Sequence, residues 1–177
     1  MKAKITTKRL VILALLSCLS FGLHFIDSLI PSFLPIPGFR LGLANIITLF
    51  VLYYYGVPSY LFVTVIKALL VAILTSGFGI TFMMSVGGIV LSTLISLLFY
   101  YLIKSSIYTL SIYSSLFHTI GQLFVYALFF KSFYIFYYII ILGFIAIATG
   151  ALMALLVKIM VNRIPKTFLK EESRRRN

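Results

Sequence analysis

The sequence predicts an all-α membrane protein: one bundle of six transmembrane helices, with both termini in the cytoplasm. Three observations carry that prediction. Of the 177 residues, 62% are hydrophobic, and the mean hydropathy is +1.15. Only 10% are charged, where a soluble domain carries about a quarter. The chain has three acids, Asp27, Glu171 and Glu172, whereas Lys and Arg number 15 and gather at the ends of apolar runs.

The first helix is expected from Leu10 to Ile30, stopped by Pro31. Its basic start and the run VILALLSCLSFGL look like a signal peptide. The apolar stretch continues for the length of a bilayer crossing, however, so it reads as a retained span. PSFLPIPG, with three prolines, forms a loop. The second helix runs from Arg40 to Tyr55. Gly56 and Val57 turn the chain, and Pro58 suits the first turn of a third helix that ends at Thr75. SGFG breaks the chain before a fourth helix over Thr81–Ile103. The polar stretch KSSIYTLSIYSS is expected to be a loop or an interfacial segment. A fifth helix covers Leu116–Phe130, Lys131 marks a turn, and a sixth covers Tyr134–Val161, with residues 162–177 as a basic cytoplasmic tail. The whole chain is one transmembrane domain. The terminal segments and Lys104 hold 12 of the 15 Lys and Arg, which assigns that side to the cytoplasm of a multi-pass protein in the cell membrane.

Composition excludes several functions. The net charge of +12 lies at span ends, where anionic headgroups explain it without nucleic acid. There is no phosphate-loop motif, no G-x-S-x-G elbow and no metal-ligand spacing among two histidines and one cysteine. The chain is therefore not expected to be an enzyme or to hold a cofactor.

Polar residues inside spans cost free energy unless they face a bundle interior or a water-filled cavity. His24, Asp27, Arg40, Asn45, Lys67, His118 and Gln122 are the ones to explain. Lys67 lies about 15 Å along the third helix, near the midplane. With no acid expected in the core around it, its ammonium has no obvious protein partner and requires acceptors from a ligand or from backbone carbonyls. His118 and Gln122 share a helix face, four residues apart; they either hydrogen-bond between helices or line a pocket. Arg40 either snorkels to headgroups or binds a ligand. Asp27 either pairs with Arg40 as structural glue or is protonated. The positions fit one outward pocket lined by Arg40, Asn45, Lys67, His118 and Gln122, with His24 and Asp27 at its rim. Its cationic character suits an anionic guest. Separately, Ala14, Cys18 and Gly22 form a small-residue stripe on the first helix, fit to meet a partner helix.

The segments FRLGLANIITLFVLYYYG, VIKALL, SVGGIVLS and FHTIGQL resemble the Gx transporter family, whose members also carry the name heptaprenyl diphosphate synthase component I. The likeness spans residues 10–161. Thr119 departs from it, standing where the family pattern has Asn after the histidine. Arg40, Leu41, Ile46 and Lys67 are also similar to a pattern in the substrate-binding S components of energy-coupling-factor transporters. This implies a six-helix subunit that takes up a small anionic, flavin-related or isoprenoid-related solute. A transmembrane coupling subunit docked on Ala14, Cys18 and Gly22, and separate ATPases, would drive it. The alternative partner is the catalytic subunit of a prenyl diphosphate synthase, with this chain as a non-catalytic membrane subunit because it has no aspartate-rich motif. A scaffold for a membrane redox complex is a third reading.

Overall fold

The computed structural model describes residues 7–29, 42–102, 106–131 and 133–163. They form six α-helices: α1 (Thr7–Leu29), α2 (Ala44–Tyr55), α3 (Val57–Val71), α4 (Ile80–Leu102), α5 (Ile107–Phe130) and α6 (Ile139–Arg163). A π-helical turn, Ala72–Ser76, extends α3, and a 3-10 turn, Phe133–Tyr138, leads into α6. No strand occurs among the described residues. Five helical stretches are long and apolar enough to cross a membrane. Their outward faces carry large apolar side chains, such as Leu15, Ile73, Leu94, Phe129 and Phe144. In water that surface would be untenable; in lipid it is the expected solvent boundary.

α2 is different. Its 12 residues reach only about 18 Å, short of a ~30 Å hydrocarbon core, and nine of them are buried. A helix apolar on every side belongs inside, and α2 is enclosed by α1, α3 and α6. Ile47, Val51 and Leu52 form the centre of the main core with Val63, Leu110 and Val157.

Contacts fix the direction of each helix. Arg9 Nη2 donates to Tyr55 O at 2.8 Å and to Ser59 Oγ at 2.9 Å, while Ser20 Oγ donates to Ala44 O at 3.1 Å. α1 and α2 therefore run antiparallel. Tyr60 and Thr93 share a hydroxyl contact of 3.2 Å, which sets α3 against α4, and Ser111 Oγ donates to Gly150 O at 2.6 Å, which sets α5 against α6. The start of α1 and the end of α6 thus lie at one end of the bundle, and two cations are held there over tyrosine rings, Arg9 over Tyr55 and Lys158 over Tyr108.

Glycines set the closest approaches. A methyl group on Gly121 would meet Gly87 C and Gly88 Cα at 2.9 Å, and one on Gly150 would meet Ile112 Cα at the same distance. α4, α5 and α6 therefore pack nearly backbone to backbone, as small residues permit between membrane helices.

Several expected boundaries differ: α6 begins at Ile139 rather than Tyr134, after the 3-10 turn, and two other shifts have a local cause. The stretch after Lys104 is not a loop: α5 begins at Ile107, because the Ser106 side chain caps it by accepting from Thr109 N at 3.3 Å. The serines that made this stretch look like a linker, Ser111 and Ser114, are buried against neighbouring helices. α2 begins at Ala44, since Gly42 has φ +79 and turns the chain before Asn45 N bonds to Gly42 O at 2.8 Å. Arg40, Leu41, Lys104 and nearly all of the basic tail lie outside the described residues.

Candidate functional site

All six helices contribute to one cavity of about 70 Å³, placed in the half of the bundle away from Arg9. α1 brings His24, half-buried, and Asp27, buried. Asp27 Oδ2 accepts from Gly42 N at 2.8 Å, so the carboxylate anchors the turn that opens α2 and places Asn45 on the cavity wall. α3 brings Lys67, only 7% exposed, ten residues from its start and bordered by Ala68 and Val71. α4 supplies Phe82, Ser85 and Ile89, and α6 supplies Thr149 among apolar neighbours.

α5 is the polar wall. Ser115, His118, Thr119 and Gln122 recur at three- and four-residue spacing, so all lie on one face and all line the cavity. The neighbouring helix holds the imidazole. A methyl group on Gly88 would sit 2.8 Å from His118 Cε1 and 2.9 Å from Nδ1, so only glycine leaves the ring its place.

Six of the seven polar residues that the sequence singles out therefore meet at one cavity: His24, Asp27, Asn45, Lys67, His118 and Gln122. Arg40 lies outside the described residues. One expectation needs correcting. Lys67 does not sit in an acid-free core, because Asp27, forty residues away in sequence, lines the same cavity. Lys67 and Asp27 are the one cation and the one acid among the described lining residues, so with the histidines neutral the lining carries no formal positive excess. The hydrogen-bond donors that line the cavity are the ammonium, the amides of Asn45 and Gln122, and the imidazole.

Sequence reasoning passed over Ser85, Ser115 and Thr149, and met Thr119 only as a departure from a pattern. The α5 pair was legible, since Ser115 and Thr119 continue the His118–Gln122 face. Ser85 and Thr149 gave no signal, because each hydroxyl donates to its own helix, Ser85 to Thr81 O and Thr149 to Ile145 O, both at 2.9 Å. That is the ordinary use of a lone hydroxyl in a span. Each oxygen keeps acceptor capacity toward the cavity.

The small-residue stripe lies on the outer surface of α1. Among the described residues, nothing packs within 4 Å of a methyl group at Gly22, and Ala14 and Cys18 stay exposed.

Comparison with known families finds a match over residues 16–160 to heptaprenyl diphosphate synthase component I. The chain belongs to that family. The component I match runs from within α1 almost to the end of α6 and includes every residue that lines the cavity. No curated protein and no solved structure matches the chain. The name component I denotes one part of a synthase assembly, and no group of three or more His, Cys, Asp or Glu that could hold a metal ion occurs among the described residues.

Proposed function

We propose that this component I protein is a solute-binding membrane subunit of a transporter, which takes in a small anionic solute with energy from separate ATPase subunits. One observation carries the reading: ten of the twenty residues lining the cavity are polar, in a bundle whose described outward faces carry many large apolar side chains. Burying so many hydrogen-bonding groups around Lys67 costs stability unless they have work to do on a polar guest. Lys67 and His118 supply cationic or donor groups, Asn45 and Gln122 orient the guest, and Arg40, four residues before α2 in sequence, is a further candidate for holding it. Both termini face the cytoplasm in this reading, with the cavity toward the outer leaflet. The exposed stripe of Ala14, Cys18 and Gly22 is the surface offered to a transmembrane coupling subunit.

Size narrows the guest. A cavity of about 150 Å³ takes a benzene molecule, and this one is about 70 Å³. It suits a small anion as it stands; a flavin or an isoprenoid-linked solute needs the bundle to open. The test is binding of inorganic phosphate to the detergent-purified chain, with native mass spectrometry to find any retained solute. Lys67→Gln is expected to weaken binding roughly tenfold or more, equivalent to ~1.4 kcal/mol, with the melting temperature retained. Binding unchanged in that variant would remove the proposal.

The family name favours a second reading, a non-catalytic membrane subunit that recruits the catalytic chain of a prenyl diphosphate synthase. It predicts copurification with a soluble aspartate-rich synthase and more long-chain product when both are present. A scaffold role in a membrane redox complex predicts flavoprotein partners in a pulldown instead.

A further inference from the structure

α3 and α4 touch sparingly compared with the close packing of α4 on α5, and their shared seam borders the cavity directly. From Lys67, the inward face of α3 continues through Thr64 to Tyr60 at one-turn intervals. From Ser85 and Ile89, α4 continues through Thr93 to Ser96. Tyr60, Thr64 and Ser96 are respectively 4%, 5% and 1% exposed, so this seam buries hydroxyls, which between membrane helices ordinarily find hydrogen-bond partners. Four hydroxyls meet there with one hydrogen bond between them, the 3.2 Å contact of Tyr60 with Thr93. Thr64 and Ser96 also face the Tyr60 phenol. Neither oxygen, however, reaches hydrogen-bond geometry with any partner among the described residues.

A buried hydroxyl without a partner is costly, and two beside a third make a polar site able to hold water through two to four hydrogen bonds. We infer that the polar interior does not end at the cavity: it continues along the α3–α4 seam to a water-binding cluster of Tyr60, Thr64, Thr93 and Ser96, which gives small polar solutes a route toward the Arg9 end of the bundle. The route rests on the solute-binding reading; the water site stands independently of it. The chemistry also states what the route excludes. Hydroxyls that must keep their hydrogen bonds favour water and small hydrophilic ions over an apolar chain.

The test uses single cysteines in the full chain, reconstituted in vesicles, with Cys18→Ser as background. Thr64→Cys and Ser96→Cys are expected to react with a small methanethiosulfonate at least roughly tenfold faster than Val63→Cys, which is fully buried one residue away in the apolar core. Rates equal to that control, together with Thr64→Val and Ser96→Ala each raising the melting temperature, would show dry hydroxyls and overturn the inference. Should the reagent be too bulky to enter, lowered melting temperatures in both variants, with a non-additive double variant, still report a shared water. Phosphate binding that depends on Lys67 while the cluster proves dry would leave the solute-binding proposal standing and remove only the route.

Discussion

Gly88 decides where His118 can be. An added methyl group would press on the imidazole and on the His118 carbonyl oxygen, 2.9 Å away, and the ring would have to leave the cavity wall. Gly88→Ala is therefore expected to lower stability by ~1–3 kcal/mol and to weaken phosphate binding, both read on the purified chain. Gly22 provides the contrast. It sits mid-helix with open space around it, so Gly22→Ala should be neutral or gain up to ~1 kcal/mol from helix propensity. Asp27 acts at the same scale. Its carboxylate holds the Gly42 N–H, and Asp27→Ala should cost about 1.5–3 kcal/mol, the range for a charge-assisted hydrogen bond, measured as a drop in thermal midpoint.

At the scale of elements, α5 is the helix on which the site depends. Its face of Ser115, His118, Thr119 and Gln122 is positioned by Gly87 and Gly88 on one side and Gly150 on the other. Gly150→Ala would drive a methyl group to 2.9 Å from Ile112 Cα and 3.1 Å from Ser111 O, both part of the backbone, which cannot rotate away as a side chain could. The expected cost is ~1–3 kcal/mol, accompanied by loss of the Ser111–Gly150 hydrogen bond, which hydrogen exchange across α5 and α6 would register. Ser106 works at the end of the same helix. Ser106→Ala removes its cap and should cost about 1 kcal/mol without altering solute binding, since the cap lies far from the cavity.

At the scale of the whole molecule, the main apolar core lies toward the Arg9 pole, with the hydroxyl seam of α3 and α4 beside it, and the polar cavity lies toward the other pole. Arg9 closes the first pole by joining α1 to the α2–α3 turn, through two hydrogen bonds and the Tyr55 ring. Arg9→Ala should loosen α1 from α2 and α3, seen as faster proteolysis of the N-terminal helix at a largely unchanged α4–α6 unit. Orientation belongs to this scale as well. Reporter fusions at both termini are expected to be active in the cytoplasm; a periplasmic or extracellular readout at either terminus would reverse the proposed direction of access.

How much of this was legible in sequence differs by level. Hydropathy determined the surrounding medium, because a chain so poor in charge cannot expose its surface to water. It also marked the helices, because proline and glycine interrupt the apolar runs. The shared face of His118 and Gln122 followed from helical spacing alone. Spacing fixes which residues share a face, but not the direction in which that face points, and this is why the shared cavity of Asp27 and Lys67, the enclosure of α2 and the unsatisfied hydroxyls of Thr64 and Ser96 were invisible before the fold. Those depend on how far each helix is rotated and how closely it approaches its neighbour. Contacts such as Gly87 with Gly121, and Ser111 with Gly150, set both, between residues more than thirty positions apart. Local chemistry thus determined a helical membrane protein with polar residues to account for, and only the packing of glycine against distant backbone gathered those residues around one cavity.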